Sequence, residues 1–445
     1  MTDIRSLVFI ATLILAVSGF SFYAIYPVSS YQSVSRELLF VFLLFFCFGV
    51  PLAYLLKSGW SREYPIFADP VVYFPLIFCL YCGLGGITYG SELEVSKEVY
   101  YYYYLLIFSF FLGCFASGIF EQKSSKFHSF SPQAIDDRVF STLLIFVLIV
   151  ALVSQVLILN KVGLVFLSSD FQSERTGVID RVGGYLYYLS LLSIDFVILS
   201  LFYRVLKGRF PFNRVFFVSA MLVCILILLS MGSRTRVIYP LLVSFVFLYL
   251  LFPKKVPLSK VILLIVFLAI FLFVYGSIRY MTGEGGTFGE AFSRIFLGEI
   301  KLSSITFDMV QKHVPDSLDF LGMKVLVMPF LTLLPGDDEV LVNILKESLG
   351  LTYEGGGFTP SLTGSLYIIN GIWSVVFGGF LFGLMMRKAY FIANRAGPEA
   401  KLLFAFLIVY SLNSLKGGLF KDLEPVWHAT VLYFTVFISK KLSIK

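Results

Sequence analysis

The sequence predicts an all-α polytopic membrane protein with about twelve transmembrane helices, N-in and C-in, and one large outer (periplasmic-type) loop subdomain. Three observations carry that reading. Of the 445 residues, 58% are hydrophobic and only 14% charged, whereas a soluble chain of this length would have roughly a quarter of its residues charged. The apolar residues fall in blocks, many of them near the roughly 20 residues a helix needs to cross a hydrocarbon core of about 30 Å. Lys and Arg collect on alternate sides of those blocks, as the positive-inside rule requires.

The blocks lie near residues 6–26, 38–56, 70–90, 99–119, 139–159, 183–203, 215–231, 237–252, 261–280, 362–386, 402–415 and 426–439. The first has no small-residue cleavage site after it and reads as a retained span. With the N-terminus inside, 20 of the 35 Lys and Arg face the cytoplasm, against 7 of the 28 Asp and Glu. The division is therefore residues 1–280 as helices 1–9, 281–361 as the large outer loop, and 362–445 as helices 10–12. Fifty Phe and 26 Tyr suit helix ends at headgroup level. The run Tyr100–Tyr104 reads as such a belt, with sugar or lipid packing as the alternative.

The large loop opens with "IRYMTGEGGTFGEAFSRIF", and the recurrence of Phe288, Phe292, Ile295, Phe296 and Leu302 predicts an amphipathic helix over 288–309. The segment "LDFLGMKVLVMPFLTLLPGDDE" is short and carries Pro329, so it reads as interfacial or re-entrant rather than crossing. Gly355–Gly357 and Pro360 then lead into a block whose Gly371, Gly378, Gly379 and Gly383 suit tight helix packing.

Charge supplies the candidate site. The stretch "MGSRTRVIYPLL" emerges on the outer face, where Arg234 and Arg236 are not expected as topology anchors. Arg175, Arg181, Arg279 and Arg294 also fall at or near outer span ends. Guanidinium groups favour planar, bidentate pairing with phosphate or carboxylate, so six of them suggest a convergent site for a di-anionic ligand. The competing reading pairs each arginine with a nearby carboxylate or lipid phosphate. Glu284 and Glu290 flank the Gly-rich loop opening and are candidate general bases, or simply helix N-terminal and salt-bridge residues.

Asp195 sits in mid-span, a functional feature by default, or else a buried acid hydrogen-bonded to a neighbouring Ser or Tyr. His313 and His428 read as isolated. Cys79 and Cys82 have C-x-x-C spacing without a second pair, so they read as two small apolar residues one turn apart. No metal-ligand spacing, nucleotide-binding loop or nucleophile motif occurs. The reading calls for no cofactor and no nucleic acid.

The stretches "MGSRTRVIYPLL", "IRYMTGEGGTFGEAFSRIF" and "TPSLTGSLYIINGIWSVVFGGFLFGLMMR" resemble the bacterial oligosaccharide repeat-unit (O-antigen) polymerases, the Wzy family, over roughly residues 225–390. Two departures accompany the likeness. Ser365 stands where relatives often carry an acid, and Arg-x10-Gly is absent, since Leu186 and Glu290 lie eleven residues after Arg175 and Arg279. The resemblance implies a glycosyltransferase at the periplasmic face of the bacterial inner membrane, passing a growing glycan from undecaprenyl diphosphate to an incoming lipid-linked repeat. It also implies a chain-length regulator and a flippase of the same pathway as candidate partners. A lipid-linked oligosaccharide flippase or transporter, and an O-antigen ligase, are the alternatives.

Overall fold

The computed structural model describes residues 36–58, 65–85, 95–120, 135–163, 182, 184–230, 234–253, 263, 270, 274, 277, 299–331, 341–351, 358–419 and 424–442. The regular elements among these residues are all helices, with no strand. Among the described residues six helices are long and apolar enough to cross a membrane: Leu38–Leu56, Glu98–Ser117, Asp137–Val162, Tyr185–Lys207, Ser361–Arg395 and Pro398–Gly417. Pro70–Gly83, Arg214–Ser230 and Arg236–Leu251 are shorter apolar helices. The expected spans at 6–26 and 261–280 lie almost wholly outside the described residues.

We number the helices α1 (Arg36–Ser58), α2 (Pro70–Phe78), α3 (Glu98–Phe120), α4 (Asp137–Val162), α5 (Gly184–Ser190), α6 (Leu192–Lys207), α7 (Arg214–Ser230) and α8 (Arg234–Leu251). Then follow α9 (Glu299–His313), α10 (Lys324–Leu331), α11 (Leu341–Ser348), α12 (Ser361–Arg395), α13 (Pro398–Gly417) and α14 (Glu424–Leu442). Polar contacts join helix ends that the charge count assigns to one side. At ends expected inside, Lys207 and Arg209 reach Asp137 at 3.1 and 2.6 Å, and Lys440 reaches Glu399 at 2.6 Å. At ends expected outside, Gln155 Nε2 donates to Ser230 Oγ at 2.7 Å and the Leu419 amide to Ser365 Oγ at 3.2 Å.

The closest helix pairing is α3 against α12, and glycine makes it possible. A Cβ on Gly113 would strike the Phe380 carbonyl, one on Gly379 the Ser109 hydroxyl, and one on Gly383 the Phe110 carbonyl. Removing those side chains lets the two backbones touch, which is how helices associate where lipid supplies no hydrophobic drive. Cys114 Sγ donates to the Gly383 carbonyl at 3.3 Å across the same seam.

The block expected as one span from 362 to 386 is two helices. Asn370 and Gly371 leave helical geometry, with Gly371 at φ +58°, a conformation that favours glycine. The segment before the break folds back along the one after it, so that the Leu366 side chain lies over Gly378. Backbone groups freed by a break at membrane depth need partners. Here the Ile368 and Ile369 carbonyls accept from the Leu321 and Gly322 amides at 3.0 and 3.1 Å, and Ser374 Oγ donates to the Leu366 carbonyl at 2.6 Å.

The region after the ninth block packs on this core. α9 covers the C-terminal part of the helix expected over 288–309 and turns Ser303, Ser304, Thr306, Phe307 and Val310 inward. α10, with Pro329 inside it, occupies part of the segment expected to be interfacial. The tyrosine run is not a solvent-facing belt. Tyr100 and Tyr103 are fully buried, donating to the Gly83 carbonyl at 2.9 Å and Ser304 Oγ at 3.0 Å. The sequence shows five aromatics in a row but not which of them the neighbouring helices cover.

Gly383→Ala is expected to force α3 and α12 apart and to cost about 1–3 kcal/mol, the usual range for overpacking. Gly378→Ala meets only the movable Leu366 side chain and is expected to cost less. Thermal unfolding of the two variants in detergent checks the order.

Candidate functional site

The site forms where the first turns of α8 and α14 meet α5. Arg234 and Arg236 occupy positions one and three of α8. Placing cations there works against stability, because a helix N-terminus already carries about half a positive charge. The same placement suits anion binding, since the first amides of a helix lack intrahelical partners and the Arg236 guanidinium stands beside them.

Arg236 is held from two sides. Its Nε and Nη2 both donate to Glu424 Oε1, at 3.1 and 2.6 Å, and the guanidinium carbon sits 4.4 Å from the centre of the Tyr187 ring. The Tyr187 hydroxyl donates to the same Oε1 at 3.4 Å. The two charged side chains are each less than one-fifth exposed (19% and 16%), so the pair is neither fully buried nor free in solvent. Glu424 opens α14, where a carboxylate complements the helix dipole.

One turn further into the bundle lies a second polar layer. His428 follows Glu424 by four residues and Tyr239 follows Arg236 by three, spacings that place each pair on one helix face. His428 Nδ1 lies 2.9 Å from both carboxylate oxygens of Asp195 on α6, and both residues are buried. The Phe406 ring stacks on the imidazole at 6.1 Å and the Tyr239 ring lies tilted at 5.7 Å. Asp195 thus finds its partner in a histidine, where a Ser or Tyr was expected, and His428 is not isolated. Their separation of 233 positions along the chain hides that pairing from sequence reasoning.

Of the expected site residues, Arg236 is the one whose side-chain environment is described. Arg234 is placed by its backbone at the start of α8. Arg175, Arg181, Arg279, Arg294, Glu284 and Glu290 lie outside the described residues, so their convergence on this spot stays an expectation. Asp308, another carboxylate of the large loop, is committed elsewhere: its oxygens accept from the Ser96 amide at 3.1 Å and from Lys312 Nζ at 2.6 Å. The other histidine, His313, sits at the end of α9 with Nδ1 2.8 Å from the Met309 carbonyl. Among the described residues no group of three or more His, Cys, Asp or Glu could hold a metal ion. All five cysteines are buried free thiols.

The family model described as "Putative O-antigen polymerase" matches residues 67–423 of this chain. The chain belongs to the O-antigen polymerase family. The match runs from the start of α2 to the residue before Glu424, so it includes α8 and the glycine seam between α3 and α12. No curated protein and no solved structure matches the chain. Membership gives this multi-pass membrane protein a polymerase role in O-antigen biosynthesis, with glycosyltransferase-like activity on lipid-linked oligosaccharide.

The polymerase's second layer makes a clean test. Removing one partner of a buried hydrogen-bonded pair strands the other and costs about 1–3 kcal/mol, while replacing both with apolar groups can be nearly neutral. Asp195→Leu and His428→Leu are each expected to lower the unfolding temperature sharply, and the double variant to recover most of the loss. Additive losses would remove the pairing.

Proposed function

We propose that this polymerase transfers the growing glycan from undecaprenyl diphosphate onto an incoming lipid-linked repeat at the periplasmic face of the inner membrane. The observation that carries the proposal is Arg236, a guanidinium fixed at a helix N-terminus by Glu424 and Tyr187 at the bundle end that the charge count assigns to the outside.

The reaction's demand is charge. As the bond from the anomeric carbon to the diphosphate oxygen breaks, negative charge grows on a leaving group that needs positive partners more than a proton. Pre-oriented guanidinium groups and helix amides meet that demand without reorganising during the step. Arg236, Arg234 and Arg279 are assigned to one diphosphate. Arg175 and Arg181 would position the second lipid-linked substrate, with Arg294 adding charge at the same boundary. For the proton of the attacking hydroxyl, the loop supplies Glu284 and Glu290 as candidates, and the geometry adds a third carboxylate, Glu424.

A transporter that merely moves lipid-linked repeats would use the intramembrane Asp195 and leave the glycan length unchanged. Purified protein supplied with lipid-linked repeats is therefore expected to build a ladder of longer glycans without nucleotide and in the presence of EDTA. Movement of intact repeats across vesicles with no ladder would refute the polymerase mechanism. Arg236→Ala is expected to reduce ladder formation by about 10²–10³-fold, the scale on which one transition-state hydrogen-bond donor acts. Arg236→Lys keeps the charge but not the fork, and an intermediate loss is expected.

A further inference from the structure

Three donors crowd one oxygen of Glu424. Arg236 Nε, Arg236 Nη2 and the Tyr187 hydroxyl all point at Oε1, and no described residue donates to Oε2. A carboxylate serving only as a counter-ion would do best with both oxygens in the guanidinium fork, because bidentate pairing is the stronger geometry. This one is anchored through a single oxygen. Its other oxygen accepts from no described residue, and the carboxylate stands one helical turn along α14 from His428 of the buried Asp195–His428 pair.

We propose that Glu424 is the catalytic base, accepting through Oε2 the proton of the acceptor sugar hydroxyl. The inference rests on the transferase reading above and names a residue which that reading leaves open. The step balances as follows. The acceptor oxygen forms a bond to the anomeric carbon of the donor glycan. The bond from that carbon to the diphosphate oxygen breaks, and its electron pair leaves with the lipid diphosphate. The hydroxyl proton passes to Glu424 Oε2 and from there to water.

Donor binding itself prepares the base. In the structure Arg236 neutralises Glu424. When a diphosphate takes up the guanidinium, Oε1 loses its two guanidinium hydrogen bonds and the carboxylate is released to face the acceptor hydroxyl. The carboxylate thus becomes a proton acceptor once the donor is seated. Among the described residues, the charged and titratable groups around it are Arg236 on α8, Tyr187 on α5 and, one turn deeper, His428 with Asp195. His428 serves as a positioning residue, since it pins the face of α14 that carries Glu424.

Glu424→Gln preserves the shape and an amide oxygen for Arg236 but cannot take a proton. It is expected to bind undecaprenyl-diphosphate-linked repeat in vesicles within about threefold of wild type. Its turnover is expected to fall by about 10²–10⁴-fold, the range for removing a general base. Glu424→Asp is expected to retain part of the activity. Wild-type turnover is expected to fall with a single-proton acid limb that the Gln variant lacks. Turnover of Glu424→Gln near wild type overturns the inference, as does a loss of donor binding that matches the loss of turnover. So does transfer of the acid limb's dependence to Glu284→Gln or Glu290→Gln. Should the Gln variant not accumulate, the wild-type profile decides, since a missing acid limb overturns the assignment. These results are read only on a wild type that builds the ladder, so a failed ladder is separable as failure of the transferase reading.

Discussion

Hydrocarbon offers a polar group no partner, so each one between these helices has to be satisfied by another part of the chain. The Asp69–Arg387–Tyr54 cluster shows how far that constraint reaches. Asp69 caps α2 by accepting from the Val71 amide at 3.0 Å and also pairs with the Arg387 guanidinium from α12. Arg387 Nη2 donates to the Tyr54 hydroxyl at 2.7 Å, and Tyr54 in turn donates to Asp69 at 2.9 Å. One buried charge pair thereby joins α1, α2 and α12, with the Phe391 ring 4.3 Å from the guanidinium carbon. The same requirement explains why Ser304 and Tyr100 hydroxyls reach the Cys82 and Gly83 carbonyls, at 2.8 and 2.9 Å, where the helix after α2 ends. It also explains why the chain between α9 and α10 supplies amides to the break in α12.

That break has a consequence for the site. Because the first part of α12 folds back, Ser361 and Ser365 lie against Gly418 at the end of α13, just ahead of Glu424. The chain that leaves α13 is fixed by the Leu419 amide on Ser365 and then enters α14 with Glu424 in its first turn. Ser365, the residue of the closing motif at which the expected acid is missing, thus holds the Leu419 backbone. The glycine seam and the break fix the chain leaving α13 at Leu419, five residues ahead of Glu424 in the sequence.

Much of the architecture was legible because hydrophobic blocks and charge alternation are local properties of a membrane chain. The limits of α1, α3, α4 and α13 fall within a few residues of their apolar blocks, and glycines 379 and 383 announced a close helix contact. Gly371 was read with them as a packing glycine, yet it is a hinge, and only the amides of Leu321 and Gly322 distinguish the two roles. The candidate site was legible as chemistry and not as geometry. Arg236 stood out because a cation at an expected outer helix start needs a reason. Its partner Glu424 gave no such signal, since an acid at a helix N-terminus is ordinary. Asp195 was conspicuous in mid-span and His428 was not, because only the fold brings α6 and α14 together.

The two polar layers differ in what they can do. Asp195 and His428 face each other in a buried position beside the Tyr239 and Phe406 rings and tie α6 to α14. Arg236 and Glu424 sit one turn outward, partly open, and there a second anion can compete for the guanidinium. A carboxylate closes the site electrically when it is empty and keeps two cations at a helix N-terminus from repelling the surrounding positive dipole ends. On the proposed reading, a diphosphate would bring more negative charge to Arg236 than the Glu424 carboxylate does. Exchange of one anion for the other would then be favoured only by a ligand with more than one charge, which would select a diphosphate-linked glycan over a neutral one before any sugar is read.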